Sequence, residues 1–172
     1  MSHKSLLIAG AALLLPSPAL ADSGPSDAEI AHIAYTAGVL DVTAAKQALA
    51  RSQNKAVREF AEEMVRDHEA VNDKALALVK KLKVTPAANA VSAGLSKDAD
   101  ATLKRLSGLN GAAFDRAYVA NEAAYHAAVN GALKTTLIPA ADNGELKSLL
   151  ETGLTLFGEH QKHAEHLAAQ LK

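Results

Sequence analysis

The residues best able to do chemistry are histidines standing where core residues belong. The chain has seven histidines and no cysteine. Along Val57-Arg-Glu-Phe-Ala-Glu-Glu-Met-Val-Arg-Asp-His-Glu-Ala-Val71, apolar residues recur at helical spacing: Val57, Phe60, Met64, Val71, then Leu78 and Leu82. Asp67 and His68 fill the gap between Met64 and Val71. An acid and an imidazole on a buried face cost free energy unless they are paired or bound to something. A second segment carries Val119, Glu122, His126, Val129 and Leu133 on one face, and Glu122 and His126, four apart, are neighbours there. A third has the seam Leu146, Leu149, Leu150, Leu154, Phe157, His160, Ala164, Leu167 and Leu171, with His163 one turn beyond His160. In a fourth, Asp41 lies at the edge of the seam Ile30, Ile33, Ala37, Leu40, Ala44 and Ala48.

Imidazole and carboxylate donors suit iron, copper, zinc or manganese, and the lack of thiolates argues against a soft-ligand site. The sequence therefore predicts a transition metal held by His68, His126 and His160. Asp41 and Glu122 serve as further ligands or as acceptors that orient the imidazoles, and His163 is a further candidate. The metal would give the protein a redox or metal-handling role. The competing reading is a non-catalytic envelope or stress protein, in which a hydrogen-bonded network (His68 to Asp41 or Tyr125, for example) only fixes helix packing. A carrier of small apolar ligands is a third reading, and the alanine-rich seams speak against it by predicting close packing with little cavity. His160-x-x-His163-x-x-His166 drifts around its helix, so all three cannot face one point, and His166 is expected outside. His32, beside Glu29 and Thr36, reads as surface. Tyr118 and Tyr125 read as packing residues with tethered hydroxyls. Gly-x-Gly-x-x-Gly and Walker-type loops are absent.

Four long amphipathic segments must position these groups. Apolar residues are 49% of the chain and aromatics 3%, a balance that favours packed helices. The first helix is expected over about Asp27 to Arg51, opened by a Ser26–Glu29 capping box. Ser52-Gln-Asn54 turns the chain into a second helix to about Leu82, so the two form an antiparallel hairpin. Val84 to Gly94 reads as a loop and Ser96 to Ser107 as a short helix. A fourth helix runs from about Ala112 to Leu137 and is stopped at Ile138-Pro139. The fifth begins near Glu145. The predicted fold is an all-α four-helix bundle with one long crossover containing the short helix. If the crossover spans the bundle, His68, about 15 residues after Gln53, and His126, about 15 after Gly111, both lie roughly 22 Å from one end. Asp41 and His160 come to roughly 16 Å by the same rise, which allows one shared layer.

Residues 1–21 read as a secretory signal peptide. Lys4 opens it, Leu6 to Leu15 is apolar, Pro16 and Pro18 break the run, and Ala19-Leu20-Ala21 is a small-x-small cleavage site. The expected product is a periplasmic protein of residues 22–172 with no membrane span. The formal net charge of −1 drops by one unit with the loss of Lys4. With no basic run, nucleic-acid binding is not expected.

Phe60-Ala-x-x-Met64-Val-x-Asp67-His68, then Gly111-x-x-Phe114-Asp115-x-x-Tyr118 and a later helix with His126, resembles domain-of-unknown-function family 4142 over about Asp27 to His166. The resemblance implies an exported bacterial protein with a ferritin-like bundle, and recurrent histidines at His68, His126 and His160. It implies no settled activity. The Glu-x-x-His pair of ferritin-like di-iron proteins is absent: Tyr125 follows Glu122 and Lys162 follows Glu159 at that spacing.

Overall fold

The structure is a computed structural model that describes residues 24–171. The signal-peptide segment and its cleavage site lie outside the described residues. Helices are α1 Asp27–Arg51, α2 Lys55–Leu82, α3 Ala90–Ser107, α4 Gly111–Ala132 and α5 Gly144–Gln170. No strand occurs among the described residues, and no helix there is long and apolar enough to cross a membrane.

Side-chain caps set the starts. Ser26 and Glu29 form the expected capping box on α1. Asn54 and Asn143 each accept two backbone N–H groups at the starts of α2 and α5. These bonds satisfy donors that a helix start leaves unpaired.

α1 packs on α2 and α4 on α5, while α1 also meets α4 and α2 meets α5. The connection crosses the bundle. At one end Ala87 N–H donates to the Ala28 carbonyl at 2.9 Å. At the other, Arg51 donates to the carbonyls of Ser107 and Leu109 at 2.9 and 2.6 Å. α2 and α4 therefore run in the same direction. Two boundaries differ from expectation. α3 begins six residues earlier, because Asn89 and Ser92 form a reciprocal cap. α4 continues past its expected stop through a π-helical turn, Leu133–Leu137, into Ile138–Ala140. That turn accommodates Pro139, which has no N–H to donate and would crowd an ordinary α-helical carbonyl.

The half of the bundle near the α1–α2 turn is closely packed. Phe60, Met64, Leu106, Phe114, Tyr118 and Val119 there have no solvent exposure. The other half is not, contrary to the expectation of little cavity. It holds a chamber of about 180 Å³, partly open to solvent, lined by small residues and the ends of larger ones.

Gly38 lets α2 come close to α1. A Cβ there would stand 2.3 Å from Asn72 Oδ1 and 3.0 Å from its Cγ. Gly38→Ala should cost about 1–2 kcal/mol, the overpacking penalty less the gain in helix propensity. Urea unfolding measures it. In the Gly38→Ala/Asn72→Ala double variant most of the loss should return, which would place the strain at this contact.

Candidate metal centre

Four helices bring one acid or imidazole each into a single layer: Asp41 from α1, His68 from α2, His126 from α4 and His160 from α5. All are at most 3% exposed. Glu122, one turn before His126, is equally buried.

The His126 ring is held by its own helix. Nδ1–H donates to the Glu122 carbonyl at 3.0 Å, which leaves the Nε2 lone pair pointing inward. A backbone carbonyl on one ring nitrogen is a common way of orienting the other toward a metal. His126 Nε2 stands 3.4 Å from His68 Nε2, and both lie 3.6 Å from Asp41 Oδ2. These separations are long for hydrogen bonds. The circle through three atoms so spaced has a radius of about 2.0 Å, the length of an imidazole–zinc or carboxylate–zinc bond. One cation could therefore touch all three without moving them.

His160 approaches from the fourth helix, with ring nitrogens of His68, His126 and His160 all within 4.8 Å of one another. Its Nε2–H donates to Asp67 Oδ2 at 3.1 Å, and Asp67 in turn accepts from Arg66 at 2.8 Å. That chain leaves Nδ1 as the His160 nitrogen with a free lone pair. Phe157 stacks on His68, with centroids 4.5 Å apart and planes 6° from parallel, and fixes that ring.

Six buried atoms in and beside the layer have no hydrogen-bond partner among the described residues: both Asp41 carboxyl oxygens, His68 Nδ1, His160 Nδ1, Glu122 Oε2 and the Tyr118 hydroxyl. Each such atom costs on the order of 1–3 kcal/mol if nothing satisfies it. Glu122, kept protonated by its burial, faces Asp41 and can serve an oxygen there, which leaves the Nδ1 atoms of His68 and His160 and the Tyr118 hydroxyl unserved.

Burial also sets the protonation states. It pushes His68 down to about 3, aided by the neighbouring imidazoles, and His126 to about 4. His160 is lowered too, against the pull of Asp67. All three rings are neutral at pH 7 and can donate lone pairs. Burial raises Asp41 to about 7 against the pull of a hydrogen bond from Glu122, and raises Glu122 well above the usual range, where the Asp41 charge adds to it. Burial pulls Asp67 upward as well, but Arg66 and His160 outweigh it and hold that carboxyl low. The layer thus carries little charge of its own, and a cation entering it would take the proton from Asp41.

Of the residues the sequence singled out, Asp41, His68, Glu122, His126 and His160 converge. Glu122 sits behind His126, with Oε2 3.9 Å from Nδ1. His163 does not join them. Its side chain is 43% exposed, bonded to Glu63 Oε2 at 2.8 Å and set edge-on to Phe60. One extra turn of α5 carries it past the layer. His166 is exposed. His32 lies half-buried beside Thr36, at 3.4 Å. The Tyr125 hydroxyl donates to the Ala37 carbonyl, not to His68. Two supporting residues were not foreseen as such: Asp67 as the partner of His160, and Phe157 as the platform for His68. Asp67 was visible as a polar residue on an apolar seam, but nothing in the sequence pointed to which histidine it meets.

The family model for a domain of unknown function (DUF4142) matches residues 14–167, and the chain belongs to that family. No curated protein matches the chain. Among solved structures, the crystal structure of a DUF305 protein from Streptomyces coelicolor is similar, with a TM-score of 0.70. It is 14% identical, over 84% of this chain and 93% of its own. At that identity the likeness speaks to the fold alone.

Proposed function

We propose that this DUF4142 protein is an exported bundle that binds one first-row transition metal between His68, His126 and Asp41, with His160 closing the site. The observation that carries the reading is the triangle of Nε2, Nε2 and Oδ2 atoms with sides of 3.4, 3.6 and 3.6 Å. The partnerless buried atoms around it support the reading over a purely structural network.

The spacing also favours one coordination type. Neighbouring ligands in a tetrahedron with bonds of 2.0–2.1 Å stand about 3.3–3.4 Å apart, whereas octahedral neighbours stand about 2.9 Å apart. The measured sides, 3.4, 3.6 and 3.6 Å, lie closer to the first, which the donors reach by closing about 0.2 Å. Three imidazoles and a carboxylate in that geometry suit zinc or a metal that tolerates its geometry, ahead of an octahedral iron triad. Asp67 and the Glu122 carbonyl would then hold the outer nitrogens of His160 and His126. The reading assigns metal binding or handling and no reaction.

The test is untagged mature protein purified from the cell envelope. It should begin at Asp22, bind one zinc or cobalt(II) per chain, and give the intense visible absorption of tetrahedral cobalt. Intact Met1 in the membrane fraction would mean that the segment is a retained anchor and would overturn cleavage after Ala21. No binding of iron, copper, zinc, cobalt or manganese at micromolar concentration would overturn the metal site.

A further inference from the structure

The chamber in the loosely packed half begins where the histidine layer ends. It runs from His68 and His126 to Leu137 and Leu146. Its volume, about 180 Å³, slightly exceeds the roughly 150 Å³ of an apolar cavity known to stay dry and to bind benzene or xenon. Space of this size inside a bundle costs stability, since its lining loses contacts that packing would supply. The walls account for the space: α1 contributes Ala31, Ala34 and Gly38, α2 Ala75, and α4 Ala128 and Ala132, where other residues could have filled it.

The lining determines the kind of guest. No lysine, arginine, aspartate or glutamate lines the chamber. Its polar side chains are His68, Asn72, Tyr125 and His126. Tyr125 is committed to the Ala37 carbonyl and His126 Nδ1 to the Glu122 carbonyl. A carboxylate or ammonium head would meet no opposite charge there, and only Asn72 and His68 Nδ1 could bond it, so its burial would be costly. Water, which needs two to four polar partners, is poorly served too. The guest can enter from solvent, because Ala128, Ala132 and Val91 of the lining are exposed, Val91 to 57%.

We infer that this chamber is a binding site for a small, neutral, apolar molecule of about benzene's size, seated with one edge against the His68 and His126 rings. The inference goes beyond the metal reading and stands on the chamber alone. If both are right, the guest lies beside the metal.

Benzene is the probe, and metal-free, chelator-treated protein is the sample, so failure of the metal reading leaves the result readable. Benzene should raise the melting temperature in a concentration-dependent way. It should also shift the methyl resonances of Val129, Leu133 and Leu150 saturably, and leave those of Val57 and Val119 in the closed half unchanged. Ala34→Leu and Ala75→Leu, made separately, should each weaken binding at least tenfold while the helical circular-dichroism spectrum persists. Hexanoate, of similar length but charged, should not bind. Absence of saturable shifts up to the solubility limit of benzene would overturn the inference, whether or not the filled variants fold. Equal binding of hexanoate, or unchanged binding in folded variants of both kinds, would overturn it as well.

Discussion

His126→Ala should lower affinity for zinc or cobalt(II) by more than a hundredfold. Changing a group that merely orients a ligand costs 10–100-fold, and this change removes a proposed ligand itself. The ring is also the one best fixed in advance, with Nδ1–H on the Glu122 carbonyl and Nε2 turned to the site. Metal at 100 times its dissociation constant should stabilise the wild type by about 2.7 kcal/mol. That is roughly 5–10 °C in melting temperature for a chain of this size. The variant should gain almost nothing at the same concentration. The difference between metal and chelator is the quantity to read, because loss of a fully buried ring also destabilises the metal-free protein. His163→Ala is the control. That ring faces Glu63 and solvent, so its loss should change affinity less than twofold. If His126→Ala left the metal-dependent shift intact, His126 would not be a ligand, and the layer would be a packing network.

The fold was legible because its signals are local. The Ser26–Glu29 capping box, the short Ser52–Asn54 turn and the 3.6-residue apolar seams each act within a few residues, and they correctly set the ends of α1 and α2. The two misplaced boundaries also have local causes. The Asn89–Ser92 cap lies inside the stretch that Pro86 and small polar residues make read as a loop. The continuation past Pro139 depends on a π turn, a backbone adjustment that side-chain patterns do not encode. The polar layer was readable as histidines on apolar seams at matching heights. Which nitrogen faces which neighbour was not readable, because that depends on helix rotation and ring stacking, as Phe157 on His68 illustrates. The chamber was misread for a related reason. Alanine spacing predicts close helix approach, yet the Leu and Val side chains facing these alanines do not reach across the gap.

Asp41→Asn should make the metal-free protein more stable and at the same time abolish tight metal binding. Asp41 is 2% exposed, and neither carboxyl oxygen has a well-formed hydrogen bond among the described residues, although the Glu122 carboxyl beside it partly eases its charge. Burial raises it from 3.8 to about 7. Below pH 3.8 the carboxyl is protonated in folded and unfolded chains alike, and it has no effect on the balance. Between pH 3.8 and 7 the unfolded chain gives up the proton and the folded chain keeps it, so wild-type stability falls as pH rises. Above pH 7 the penalty is constant. Asparagine has the same shape and no charge to desolvate. The advantage of the variant should therefore be near zero at pH 3.5, grow through pH 4–7, and level off at a few kcal/mol. At pH 8 that corresponds to about 5 °C or more in melting temperature. The metal arm runs the other way. Wild-type affinity should climb with pH up to about 7 as Asp41 becomes easier to deprotonate, then flatten, since His68 and His126 are already neutral above pH 5. The variant should bind weakly and lack that slope. Melting curves with zinc and with chelator at pH 3.5, 5.5 and 8 test both arms. A variant no more stable than wild type at pH 8 would mean that Asp41 is satisfied in the metal-free protein, and the case for it as a ligand held ready for a cation would fail.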